Sequence, residues 1–117
     1  MSFFPLVQET AKLSRCNKRK VGAIVVKNNH VISYGFNHSY DEPCFCSMTE
    51  KNPHVLHAEK MALCGTDREI YHGATVYVNY PPCNDCMTLI EQCKLKEVIY
   101  LNKNGVEIYE QIKKSQV

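Results

Sequence analysis

Residues 74–101 read ATVYVNYPPCNDCMTLIEQCKLKEVIYL. The opening ATVYVNY is rich in β-branched and aromatic residues and reads as a strand. PCNDCMTLIEQC reads as a helix, with Pro82 in the first-turn position, where its missing N–H costs nothing. EVIYL is a further short, β-branched strand. Strand, helix and strand in succession imply a crossover connection, and so a mostly parallel sheet with helices packed on it.

The flanking segments extend that pattern. SFFPLVQETAKLS carries Leu6, Val7, Ala11 and Leu13 on one face of a helix. KVGAIVVK reads as a buried strand, NNH as a turn and VISYGFN as its partner, which makes an antiparallel hairpin. HSYDEPCFCSMTEKNP is polar, holds two prolines and reads as a loop; loops of that length are more often functional than idle. HAEKMALCG is expected to be a helix closed by Gly65. After EVIYL, KNG is a turn and VEIYEQIKKS is expected to form a last helix. No repeat, low-complexity segment or linker divides residues 1–117, which are expected to form one domain. The fold class is α/β, with a mixed sheet that has an N-terminal antiparallel hairpin followed by parallel strands, in three α/β/α layers.

Composition bounds the function. The chain has 117 residues, 44% hydrophobic and 22% charged, with a formal net charge of +2. A chain of that length buries one core without a disulfide framework. The small charge argues against stable nucleic-acid binding, which usually comes with a clustered basic excess. The apolar runs fall far short of a membrane span. MSFFPLVQET shows no basic lead and no long apolar core, so the expected location is cytoplasmic. Seven cysteines is an odd number, and with no export signal they suit metal ligands, nucleophiles or core filler better than disulfides.

Cys83 and Cys86 lie at i and i+3, on one face of one helical turn. They also lie at a helix N-terminus, where the unpaired N–H groups and the dipole stabilise thiolates. Two adjacent thiolates repel, and a divalent cation between them resolves the conflict; zinc accepts Cys and His ligands in a tetrahedron. His57 is the best third ligand, since it opens its own helix as Cys83 opens another. A structural zinc would take four protein ligands, a catalytic zinc three and a water. Glu59 lies in the same first turn as His57 and can border the pocket, where a carboxylate can take a proton from water and later deliver it to a leaving group.

The order His-x-Glu, then a strand, then Pro-Cys-x-x-Cys is the signature of zinc nucleobase deaminases. With it the chain resembles the cytidine/deoxycytidylate deaminase superfamily, and the deoxycytidylate (dCMP) deaminases in particular. RKVGAIVVKNNHVISYGFN is similar to the family's first hairpin, VLHAE to its zinc and proton-shuttle segment, and VYVNYPPCNDCMTLIEQCKLKEVIYL to its cysteine helix and flanking strands. The likeness runs over roughly residues 3–112. It implies a cytidine deaminase-like fold, one catalytic Zn²⁺ on His57, Cys83 and Cys86, Glu59 as general acid/base, and hydrolysis at C4 of cytosine. It implies substrate contacts from the backbone at Ala58 and from Asn37, whose amide can both donate to and accept from a sugar hydroxyl. It implies conversion of dCMP to dUMP, a homo-oligomer, often a hexamer, and dCTP and dTTP as effectors. Deaminases of cytidine, cytosine, dCTP or a C5-modified dCMP, and of tRNA adenosine, are the enzyme alternatives. A zinc-binding module without turnover is the alternative of another class.

Three departures from the family bear on the substrate. Met61 stands where relatives have Asn, Gly35-Phe36-Asn37-His38 replaces Gly-Tyr-Asn-Gly, and the chain ends after its last expected helix, where longer relatives add a fifth strand and another helix. RCNKRK holds Arg15, Lys18, Arg19 and Lys20 before the first strand, and Arg19 or Lys20 is expected to meet a 5′-phosphate. By the same resemblance, Cys16, Cys44, Cys46 and His54 are candidates for a second, structural zinc. Cys64 and Cys93 are expected on helix faces in the core, and His30 and His72 at the surface or in turns.

Overall fold

The computed structural model describes residues 2–15, 19–39 and 55–112. In chain order it holds α1 (Phe4–Ala11), β1 (Gly22–Lys27), β2 (His30–Phe36), β3 (His38–Ser39), β4 (Val55–Leu56), α2 (Ala58–Ala62), a 3₁₀ turn (Arg68–Tyr71), β5 (Thr75–Val78), α3 (Asn84–Gln92), β6 (Glu97–Leu101) and β7 (Glu107–Gln111). Five strands form one sheet in the order β2-β1-β5-β6-β7, and β3 pairs with β4 in a second, two-stranded one.

The hairpin forms as expected. Lys27 pairs with His30, so Asn28 and Asn29 make a two-residue loop, with φ of 53° and 63°. Two positive-φ residues match the right-handed strand twist, and Asn tolerates that region better than most.

The β1 strand separates two apolar clusters. Ala23 and Val25 face α2, α3 and their neighbours Ala58, Ala62, Leu63, Ile90 and Cys93. Ile24 and Val26 face Phe4 and Val7 of α1 on the opposite side, together with Ile99. The expected α/β/α layering therefore holds, with α1 on one face and α2 and α3 on the other. Each fully buried Val, Ile or Leu contributes about 1.5–3 kcal/mol by leaving water.

The expectation of a mostly parallel sheet does not hold. Among the described residues only β5 and β6 pair in parallel; β1 is antiparallel to both β2 and β5, and β7 is antiparallel to β6. The last expected helix is that seventh strand. Asn102 decides it: its Oδ1 accepts the N–H groups of Asn104 and Val106 at 2.9 and 3.0 Å, and Gly105 takes φ +76°. That tight turn lays Glu107 opposite Leu101 and completes the open edge of β6. Pairing thus overrides an ambiguous apolar spacing. The Asn-Gly turn and the alternation of Val106 and Ile108 were the available signals.

Two other expectations change. Pro82 precedes the N-cap Cys83 (φ −75°, ψ 170°) and does not enter the first turn. Cys64 is exposed, because α2 ends at Ala62 and the chain leaves the core after Leu63; Cys93 is buried as expected.

The α2 helix has only five residues and cannot be stable alone. It is fastened to β2 instead. The Ser33 hydroxyl donates to the Ala62 carbonyl, and the Phe36 N–H donates to Met61 Sδ at 3.4 Å. Gly35 makes the approach possible: a Cβ there would run into the Ala58 carbonyl oxygen and sit 2.6 Å from the Ala62 nitrogen. Gly35→Ala should therefore push α2 off the sheet and lower stability by about 1–3 kcal/mol, read from urea unfolding. An unchanged midpoint would show that the two elements are not wedged together.

Candidate metal centre and active site

Two helix starts converge here. His57 caps α2 in an extended conformation (φ −73°, ψ 148°), and Cys83 caps α3 likewise, with Cys86 one turn further on. His57 Nδ1 lies 3.6 Å from Cys83 Sγ and 3.5 Å from Cys86 Sγ. Their ligand atoms all lie within 4.8 Å of one another. A tetrahedral zinc with its usual bond lengths would hold a nitrogen and a sulfur about 3.6 Å apart. The donor set and the two nitrogen–sulfur distances therefore fit Zn²⁺. Among the described residues the cluster has three members, the number at which zinc keeps a position for water.

Glu59 stands beside this cluster without belonging to it. It is 4% exposed, and its carboxyl adjoins the Cys86 thiol. Burial raises its pKa above the ordinary carboxylate range, against smaller opposing effects of its own backbone N–H, Cys86 and Lys60. Cys86, fully buried, has its pKa pushed well above that of a free thiol, first by burial and then by Glu59 and Cys83. Such a pocket resists negative charge until a cation enters it, and a divalent ion reverses that preference.

The other predicted site residues fall as follows. Ala58 is buried, with its carbonyl oxygen beneath Gly35. Asn37 is 7% exposed and braces the chain before β1: its Oδ1 accepts the Val21 N–H at 2.9 Å and its Nδ2 donates to the Arg19 carbonyl at 2.8 Å. Each of its polar atoms keeps further hydrogen-bonding capacity after those bonds. Met61, in place of an Asn, directs its sulfur to β2. Cys16, Cys44, Cys46 and His54 lie outside the described residues.

Sequence reasoning missed Asn79 and Tyr80. Asn79 Oδ1 accepts the Gly22 N–H at 2.9 Å, and its Nδ2 donates to the Lys20 carbonyl at 3.1 Å. It thus repeats from β5 what Asn37 does from β2. Its signal was an Asn directly after a strand, the same context that singled out Asn37.

Comparisons with known proteins place these residues in context. The family model for the "Cytidine and deoxycytidylate deaminase zinc-binding region" matches residues 1–102. The deoxycytidylate deaminase of Mycobacterium phage D29 is 33% identical over 115 residues, covering 84% of this chain and 90% of its own length. That of Saccharomyces cerevisiae is 35% identical over 84% of this chain, but only 36% of its own length is spanned. Among solved structures, the dCMP deaminase from the cyanophage S-TIM5 in complex with dCMP and dUMP superposes with a TM-score of 0.73 at 32% identity, over 86% of this chain and 78% of that one.

Proposed function

Since the chain belongs to the cytidine and deoxycytidylate deaminase zinc-binding family, we propose that it hydrolyses deoxycytidylate to deoxyuridylate and ammonia. The observation that carries this reading is the three-donor cluster of His57, Cys83 and Cys86 with the buried carboxyl of Glu59 against it. The phage relatives named for the same activity cover most of this chain and supply the substrate.

His57 Nδ1 and the sulfurs of Cys83 and Cys86 would hold the ion. A bound zinc supplies Lewis acidity and lowers the pKa of a water beside it. The remaining work falls to the chain's own groups. The Glu59 carboxylate takes one proton from water on an oxygen and passes it to N3 of the cytosine ring as water adds at C4. It takes the second proton of that water and passes it to the departing amino group, so the C4–N bond breaks, ammonia leaves and the C4 carbonyl forms. Protons thus balance with one carboxyl as both base and acid. Burial keeps that carboxyl out of exchange with bulk solvent. The backbone at Ala58 lines the pyrimidine edge, and Asn37 uses the capacity left on its amide for the sugar.

Ammonia release measured on dCMP, deoxycytidine, cytidine, cytosine and dCTP tests the substrate. The expected result is that dCMP has the highest kcat/KM. Deoxycytidine turned over as well as dCMP would remove the nucleotide from this reading. A homo-oligomer regulated by dCTP and dTTP, working in the cytoplasm, completes the proposal; light scattering with and without each nucleotide checks the assembly. No helix among the described residues is long and apolar enough to cross a membrane.

A further inference from the structure

The segment before β1 is held from both sides. Asn37, after β2, bonds to the backbone of Arg19 and Val21; Asn79, after β5, bonds to that of Lys20 and Gly22. Four consecutive residues are therefore fixed alternately by two amides. Their side chains then take different courses. Lys20 Nζ donates to the Ser14 carbonyl at 2.7 Å, so its charge is turned back toward the end of α1. The Arg19 guanidinium lies over the ring of Tyr80, 4.5 Å from its centroid.

Tyr80 lies three residues before the metal-ligand candidate Cys83. It begins the run Tyr80-Pro81-Pro82-Cys83, so its Cα lies within about 11 Å of that of a metal ligand, three extended residues at most. The strand register makes this end of the sheet common ground: Gly22 pairs with Phe36 and Ala23 with Val78, so the start of β1 lies at the ends of β2 and β5. Ligands of open α/β sheets sit outside such strand ends. Arg19 and Tyr80 are both exposed there, Tyr80 by 38%.

Stacking on a ring engages the flat face of a guanidinium. Its N–H donors lie in the guanidinium plane, arranged as a fork that matches two oxygens of a phosphate. An arginine anchored at its backbone by Asn37 and steadied at its tip by Tyr80 is a preorganised phosphate receptor. A lysine already bonded to a carbonyl is not.

We propose that Arg19, held over Tyr80, receives the 5′-phosphate of the nucleotide and makes the enzyme select nucleotides over nucleosides, while Lys20 is a structural tether. This rests on the deoxycytidylate reading above and names the group that enforces it.

Steady-state kinetics on dCMP and deoxycytidine test it. Arg19→Gln should lower kcat/KM for dCMP by about 10–100-fold, the usual worth of hydrogen bonds to a charged group. It should leave deoxycytidine within a few-fold of wild type. Tyr80→Leu should raise KM for dCMP with kcat little changed, and Tyr80→Phe, which keeps the ring, should restore it. Lys20→Met should affect both substrates alike. Calorimetric binding of dUMP and of deoxyuridine gives the same contrast without turnover, with Arg19→Gln weakening only the nucleotide. If Arg19→Gln lowers both substrates together, or the preference for dCMP survives it, Arg19 is not the receptor, though the deoxycytidylate reading stands. If the wild-type protein shows no preference for dCMP, both fall.

Discussion

Glu59→Gln is expected to keep the fold and the zinc and to lose deamination by about 10²–10⁴-fold, the usual contribution of a general acid/base. Gln has nearly the shape of Glu, so the packing around a side chain only 4% exposed survives. What it cannot do is take a proton from water or hand one to N3 and to the amino group. Stability should not fall either, because burial already penalises the charged carboxylate and the amide carries no charge. Zinc per chain, the thermal midpoint and single-turnover rates on dCMP separate these effects. A rate within a few-fold of wild type, with zinc retained, would take Glu59 out of the mechanism. Wild-type protein that holds zinc yet releases no ammonia from any of the cytosine compounds would instead favour a module without turnover.

Cys83→Ser is expected to fail differently, by losing the metal. Three donors are a small set, and removing one sulfur leaves His57 and Cys86 to hold the ion alone. Metal binding is coupled to folding, so the loss reaches stability as well as rate. An ion present at about 1,000 times its dissociation constant adds ~4 kcal/mol to the folded state by mass action, and the variant forfeits most of it. Thermal unfolding with and without a chelator reads this directly: the wild-type midpoint should fall when zinc is removed, and that of Cys83→Ser should not move. A variant that keeps stoichiometric zinc and its response to chelator would exclude Cys83 from the ligand set. Together the two substitutions separate holding the ion from moving the proton.

The site was the most legible part of this chain. Cys83 and Cys86, one helical turn apart, and His57 with Glu59, two residues apart, are short-range patterns, and each sits where a helix begins. The hairpin was equally plain, since Asn28 and Asn29 can take positive φ between two β-branched runs. The segment after Gly105 was not. Val106, Ile108, Tyr109 and Ile112 suit either period, and the outcome depended on Asn102 closing a turn and on the edge of β6 waiting for a partner. Cys64 and Pro82 shifted because each lies at a helix end, where one residue decides between core and solvent.

From the residues alone came the α/β class, the two metal-binding helix starts and the carboxyl beside them. These depend on chemistry carried within a few neighbouring residues, which local spacing records. Tertiary contact alone decided that the last element is an antiparallel strand, that Gly35 lets a five-residue helix reach the sheet, and that Arg19 and not Lys20 stands over Tyr80. The bonds behind the last of these, from Asn37 and Asn79 to residues 19–22, join positions as far as 59 residues apart, and no local pattern encodes them.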